Sequence, residues 1–247
     1  MDNSFRTSNP ALLGDTFDRS AMGPVMTLQG TINKTGLLLL FVIAGAVTTW
    51  DLAVKQDPLV NILLGVGVFG GMIVAFVTIF KKEWSPVTAP IYAILEGLAL
   101  GGISSIINLK YPGIAIEAVS LTFGVFVIML ALYWTRIVRA TPLFVRGVIA
   151  ATGAIMLVYV VNLVLGFFGS QIPFINSAGN IGIGFSIFVV VIAAFNLVID
   201  FAFIEQGARE GSPRYMEWYG AFALLVTLVW LYLEILRLLA KLNSRQN

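Results

Sequence analysis

The sequence predicts an all-α protein that crosses a membrane seven times as one bundle of helices. Of its 247 residues, 58% are hydrophobic and 11% are charged, whereas about 25% charged residues is usual for a soluble domain. Seven apolar stretches are long enough to cross the hydrocarbon core, which takes roughly 20 residues of helix. Polar and apolar residues do not alternate as in a membrane β-strand, so we expect each span to be helical.

The predicted spans end where turn-forming residues occur. Their approximate bounds are 36–54, 59–80, 86–108, 113–135, 143–168, 180–204 and 217–239. The breaks between them hold, in order, Asp57-Pro58, Lys81 to Pro86, Lys110 to Gly113, Arg139 to Pro142, a loop around Pro173, and Arg209 to Pro213. Such proline, glycine and charged clusters punctuate helices, and proline is tolerated at the first turn of the helix that follows.

The first 33 residues differ from the rest of the chain. They are polar, rich in Ser, Asn, Gly and Thr, and lack the charged start, apolar core and cleavage site of a secretory signal. We predict a mobile cytoplasmic tail over residues 1–33 and a transmembrane domain over 34–247. The tail either keeps the first span soluble or serves as a docking or proteolysis signal.

The distribution of basic residues predicts a cytoplasmic amino terminus. With this orientation the inner side carries ten Lys and Arg residues, and the outer loops carry only Lys55 and Lys110, as the positive-inside rule requires. We therefore expect a multi-pass protein of the cell inner membrane. Seven crossings place the carboxyl terminus outside although it carries Arg237, Lys241 and Arg245, so a re-entrant last segment stays open as an alternative.

The residue types argue against an enzyme. The chain has neither cysteine nor histidine, which excludes disulfides, His or Cys zinc ligands and Ser–His chemistry. The pattern Gly65-x-Gly67-x-x-Gly70 matches a dinucleotide motif by letter, yet it lies inside a membrane span rather than at a strand-to-helix turn. We expect no cofactor beyond transient calcium, and no nucleic-acid partner because the basic residues form no stripe.

Glycine spacing predicts close helix contacts. The second span contains Gly67-x-x-x-Gly71 and the third contains Gly97-x-x-x-Gly101. This spacing lets helix backbones pack closely, which matters in lipid because the hydrophobic effect does not drive helices together there. The alternative is that these glycines let the two spans slide as a gate.

Three carboxyl groups lie inside predicted spans: Glu96 in the third, Asp200 in the sixth and Glu234 in the seventh. Ionisable groups are costly in a bilayer and by default mark functional sites. An ion pair with Arg237 at i,i+3 is the structural explanation for Glu234. Loss of hydration disfavours a charged carboxylate, and carboxylate oxygens are ligands that calcium prefers. The chemistry therefore predicts proton-sensitive cation passage.

Two further residues complete the candidate pathway. Asn196 precedes Asp200 by one helical turn, and Glu117 lies near the outer end of the fourth span. A rise of ~1.5 Å per residue sets Asp200 and Glu234 about 20 Å apart along the membrane normal. Either the last span begins deeper than its apolar stretch indicates, or Glu234 faces Glu117 instead.

Four stretches at these residues resemble the Bax inhibitor family, the transmembrane Bax inhibitor motif proteins, in a bacterial branch. They are APIYAILEGLALG at 89–101, NLVID at 196–200, LYLEILRLL at 231–239, and Glu117 followed by Leu121-Thr122-Phe123. The likeness runs over about residues 35–242. It implies a seven-helix bundle with the last helix central.

The resemblance also implies a function and its residues. It implies a pH-sensitive calcium leak in which Asp200 and Glu234 form the gate, sense pH and contact calcium. Glu96, Glu117, Asn196 and Arg237 are then expected to line the pathway or support the gate. In some bacteria the family modulates a membrane-anchored AAA protease. The alternative function is accordingly a non-conducting regulator of a membrane protease or other membrane complex.

Overall fold

The computed structural model describes residues 23–170 and 172–246, and within them the chain is almost entirely helical. The helices are α1 (Leu28–Val54), α2 (Leu59–Phe80), α3 (Ser85–Lys110), α4 (Ile114–Trp134), α5 (Pro142–Phe167), the short α6 (Pro173–Asn176), α7 (Asn180–Arg209) and α8 (Met216–Gln246). Among the described residues, seven of these helices, all but α6, are long and apolar enough to cross a membrane. The predicted all-α, seven-crossing bundle is confirmed.

The largest departure from the predicted bounds is at the start of α1. The helix begins at Leu28 rather than near residue 36, because Thr27 caps it by accepting a hydrogen bond from the Gly30 amide at 2.9 Å. Residues 28–33, which the sequence predicts to belong to the tail, are thus helical. Of the rest of that predicted tail, residues 23–27 precede the helix and residues 1–22 lie outside the described residues.

The core of the bundle is built around α8. It is the most buried of the seven crossings in the described chain, whereas α5 is the least buried. It packs against α1, α3, α4 and α7, while α2 packs mainly on α3. Leu225, Leu231 and Leu236 of α8 are almost fully buried. The expectation of a central last helix is confirmed, with α2 and α5 at the edge of the bundle.

Glycines allow α1 and α2 to pack closely on α3. A methyl group at Gly67 of α2 would come within 2.6 Å of the Leu95 carbonyl oxygen of α3. A methyl group at Gly97 of α3 would collide with the Val42 carbonyl oxygen of α1. This is the close packing that the two Gly-x-x-x-Gly motifs predict.

The segment before α1 is fixed to the turn between α7 and α8. The Met26 amide donates to the Ser212 carbonyl at 2.7 Å, and the Met26 side chain is buried. Glu217, at the start of α8, is only 2% exposed. Its carboxylate pairs with Lys34 and accepts from the Thr27 amide at 2.9 Å and the Thr27 hydroxyl at 2.8 Å. The start of α1 is therefore joined to the start of α8.

The basic residues at the end of α8 are held by the start of α7. The buried Lys241 ammonium donates to the Gly182 carbonyl at 2.9 Å and the Ser186 hydroxyl at 2.7 Å. Arg245 donates to the Asn180 side chain at 2.8 Å. Because α8 is one continuous helix, the structure shows no re-entrant last segment within the described residues. These cations are engaged in packing α8 against α7 rather than exposed in a free loop.

Seven crossings place the loop from Arg136 to Arg146 and the segment from Gly169 to Asn180 on opposite sides, and the basic residues predict that the former is cytoplasmic. The chain has no cysteine, so single cysteines at Arg139 and at Ser170 give unambiguous labels. In intact cells, an impermeant thiol reagent should reach Ser170→Cys and leave Arg139→Cys unlabelled. Labelling of both from one side would contradict this arrangement.

The close packing of α1 on α3 can be tested with a matched pair of glycines. Gly97→Ala should lower the free energy of unfolding by about 1–3 kcal/mol, because the added methyl overpacks a backbone contact. Gly124→Ala in α4 is the control, since no described residue lies within 4 Å of its added methyl. Melting temperatures in detergent measure both, and equal melting would show that the Gly97 contact is not tight.

Candidate functional site

A group of polar side chains that includes two carboxyl groups and two cations lies where α7 faces α8, with α5 alongside. We call this set the polar seam. It comprises Ser186, Asn196 and Asp200 of α7 with Thr227, Glu234, Arg237 and Lys241 of α8. Hydrocarbon offers no hydrogen bonds, so each of these groups depends on partners within the protein.

Glu234 is 2% exposed and fully engaged. It accepts a hydrogen bond from the Tyr159 hydroxyl at 2.9 Å and pairs with Arg237 at 3.1 Å. Arg237 also donates to the Tyr159 hydroxyl at 2.7 Å, and its guanidinium lies 4.9 Å from the centroid of that ring. The three side chains form a closed triangle across α5 and α8. The i,i+3 ion pair expected from sequence is present, with Tyr159 as an additional partner.

The surroundings of Glu234 carry an excess of positive charge. Lys241 lies about two turns further along α8, so two cations, Arg237 and Lys241, accompany one carboxylate. A divalent cation at Glu234 would have to displace Arg237 and would be repelled by Lys241. As a calcium ligand, Glu234 is therefore the weaker of the two predicted residues.

Asp200 has the opposite character. Its Oδ2 atom is the one buried side-chain oxygen or nitrogen in the described residues that lacks a hydrogen-bond partner. Thr227 of α8 lies beside the carboxyl group. A buried carboxylate oxygen without a partner is costly, so the Oδ2 atom has a place either for a proton or for a cation.

The two predicted gate residues occupy separate places along the seam. Asp200 lies beside Thr227, which precedes Glu234 by two turns of α8, about 10 Å of rise. Glu234 turns to Tyr159 and Arg237 rather than to Glu117. No hydrogen bond among the described contacts joins Asp200 directly to Glu234. The structure shows neither of the two alternatives drawn from the sequence, a deeper start of the last span or a contact between Glu234 and Glu117.

Asn196 connects α7 to α5. Its amide nitrogen donates to the Thr152 hydroxyl and to the Ile192 carbonyl, each at 2.8 Å. It lies one turn from Asp200 on α7, so it helps to fix the helix that carries the unpaired carboxyl group.

Glu96 lies outside the polar seam, at the contact of α3 with α2. A methyl group added at Gly71 of α2 would lie 3.2 Å from the Oε2 atom of Glu96, so the glycine leaves room for the carboxyl group. Tyr92, one turn earlier, lies beside the same carboxyl group and contacts Phe222 of α8 edge-on at a ring-centroid distance of 5.0 Å. Tyr92 thus links Glu96 to the central helix.

Glu117 is exposed at the opposite end from the amino terminus. It lines a shallow hollow together with Lys110, Tyr111 and Asn243, where α3, α4 and α8 end or begin. With the predicted orientation, this end of the bundle faces the outside.

Sequence reasoning did not identify several residues that complete these sites. Tyr159 lies 75 residues from Glu234, and no local pattern relates the two. Glu205 accepts from the Tyr133 hydroxyl and pairs with Arg136 and Arg209 at the end of α7. Its i,i+4 spacing from Arg209 is a signal that the sequence did contain.

The described residues contain no group of three or more acidic side chains, histidines or cysteines that could hold a metal ion. A calcium ion at Asp200 would therefore need backbone or hydroxyl oxygens, or water, to complete its usual six to eight ligands.

Comparison with protein families identifies the fold. A model of the Bax inhibitor 1 like family matches residues 4–244, nearly the whole chain. The chain belongs to the Bax inhibitor 1 like family. The resemblance seen in the sequence is thereby confirmed, and the matched region includes all seven crossings. Comparisons with curated proteins and with solved structures give no match.

The triangle around Glu234 predicts unequal effects of its two charged members. Arg237→Gln leaves the buried Glu234 carboxylate with the uncharged partners Tyr159 and Trp230 and should lower the free energy of unfolding by about 1–3 kcal/mol. Glu234→Gln should cost less, because the amide can still accept from Tyr159 and the guanidinium, 39% exposed, can reach solvent. Thermal melting of both single variants and of the double variant measures the coupling. If the loss of stability in the double variant equals the sum of the two single losses, Glu234 and Arg237 are not coupled.

Proposed function

We propose that this Bax inhibitor 1 like protein passes calcium or similar cations through the membrane under proton control, with Asp200 as the site where a proton and a cation compete. The observation that supports this most is the buried Asp200 Oδ2 atom, which has no partner in the described chain. Carboxylate oxygen is a hard ligand suited to calcium, and its protonated form is not. One group thus provides both cation affinity and sensitivity to pH.

The position of Asp200 favours a role in gating. It lies where α7 meets the central helix, and helices in close packing tolerate a neutral carboxyl group far better than a charged one. A change in its charge therefore alters the stability of the α7–α8 contact. Such a contact is the kind of two-state element through which a local charge can open or close a path.

Glu234 has a secondary role in this proposal. It is neutralised by Arg237 and accepts a hydrogen bond from Tyr159 in the structure, so it becomes available to a cation only if that triangle opens. Glu117 provides an acidic group at the outer surface, and Asn196 fixes the helix that carries Asp200. Glu96 supports the α2–α3 contact at the side of the pathway.

We further propose that the protein resides in the cell inner membrane with its amino terminus in the cytoplasm, on the basis of its basic loops. The second candidate is a non-conducting regulator of a membrane-anchored AAA protease. The attachment of the segment before α1 to the start of α8, through Glu217, Thr27 and Lys34, favours it. A partner that pulls on the amino terminus would act directly on the central helix.

Calcium flux in liposomes at two pH values tests the proposal. Wild-type protein should pass calcium at a rate that changes with pH, and Asp200→Asn should remove most of that pH dependence, because the amide keeps the shape but cannot ionise. Glu117→Gln is the matched control and should retain the dependence, since this carboxyl group is exposed. Melting temperatures establish that each variant is folded.

Two outcomes would contradict the proposal. A pH profile unchanged by Asp200→Asn would remove Asp200 as the sensor. An absence of flux from folded wild-type protein at both pH values would contradict conduction and favour the regulator.

A further inference from the structure

A cavity of about 190 Å³ lies at the end of the bundle where α4 gives way to α5. It is unrelated to the polar seam. Its lining consists of Tyr133, Arg136, Val138, Arg139, Ala140, Thr141 and Ala202. Two arginines in so small a lining make it the most basic cavity described here.

The charges around this cavity do not balance. Glu205 accepts from the Tyr133 hydroxyl and pairs with both Arg136 and Arg209. Arg139 has no carboxylate partner among the described ion pairs, and its Nε atom donates to the Arg136 carbonyl at 3.1 Å. The other guanidinium nitrogens of Arg139 are available to a ligand. The cluster of three arginines (Arg136, Arg139 and Arg209) and one glutamate (Glu205) has a net positive charge.

The backbone holds Arg136 in a conformation that ordinarily favours glycine. Its φ is 60°, in the left-handed region that costs a side-chain-bearing residue roughly 1–2 kcal/mol. This turn follows the end of α4 and brings the Val138 amide to the Leu132 carbonyl at 3.1 Å. Backbone strain at a residue other than glycine points to a function for its side chain.

The cavity lies beside surfaces that face lipid. Trp134, just before it in the chain, and Leu143, just after it, are each 82% exposed. Exposed apolar side chains of this size belong against acyl chains at the membrane interface. A ligand entering from the bilayer would therefore meet the arginines with its headgroup while its chains stay along α4 and α5.

We propose that this cavity binds the phosphate of an anionic phospholipid headgroup. Arginine recognises phosphate through paired, charge-assisted hydrogen bonds, and basic pockets between membrane helices on the cytoplasmic side are suited to such headgroups. Arg139 provides the uncommitted guanidinium, and Arg136 provides a second positive charge fixed by Glu205. The site does not depend on cation passage through the seam.

Lipid-dependent thermal stability of the full chain in neutral detergent tests this site. Phosphatidylglycerol should raise the melting temperature of the wild type, and phosphatidylcholine should do so much less. Arg139→Gln should weaken the apparent affinity for phosphatidylglycerol about tenfold, the loss expected for one charge-assisted contact. Arg139→Lys should fall between the two, because it keeps the charge but loses the planar donors.

Arg146→Gln is the matched control. It removes the same charge from an exposed position near the start of α5, outside the cavity lining, and should retain wild-type affinity. If Arg139→Gln and Arg146→Gln lose equal affinity for phosphatidylglycerol, the proposal is overturned, and the lipid is attracted diffusely to a charged surface. Stabilisation by inorganic phosphate with none by phosphatidylglycerol would overturn the assignment to lipid and indicate a soluble phosphate ligand.

Discussion

The structure depends on one constraint: the polar groups carried by α7 and α8 must find their partners inside the bundle, because the hydrocarbon core offers none. Glu234 meets this constraint completely through Tyr159 and Arg237, and Lys241 meets it through Gly182 and Ser186. Asp200 does not, since one of its oxygens is buried without a partner in the described chain. This contrast separates a structural carboxylate from one that is free to react with a proton or a cation.

The remaining helices serve to hold the central pair in place. Glycines let α1 and α2 pack tightly on α3, which in turn contacts α8. Glu217 fixes the start of α8 to the segment before α1, while Lys241 fixes its far end to the start of α7. The central helix is thus anchored at both ends, and the unsatisfied carboxyl group lies between the two anchors. A local change there can alter the helix contact without detaching either end.

Much of the fold was predictable because crossing a bilayer imposes length and composition on each helix. Prolines and charged clusters marked the ends, so α2 was predicted to the residue. The start of α1 was missed because Gln29 and Asn33 look like part of a polar tail and Lys34 precedes the apolar stretch, although Lys34 pairs with a glutamate 183 residues away. The carboxyl groups themselves were found because each stands out in an apolar span.

Their partners could not be found in this way. The spans are apolar on every side, so their sequences carry no periodicity that shows how each helix is rotated about its axis. For this reason Tyr159 could not be assigned to Glu234, nor Thr227 to Asp200. For the same reason the sequence could not show that Glu234 is satisfied and Asp200 is not.

The central claim is that Asp200 changes protonation state within the membrane. Infrared difference spectroscopy of the protein in lipid, recorded as buffer pH is raised from mildly acidic to mildly alkaline, measures this directly. The account predicts a protonated-carboxyl carbonyl band that disappears over the titration, is missing in Asp200→Asn and persists in Glu117→Gln. A titrating band that survives Asp200→Asn unchanged, or no such band in the wild type, would contradict it.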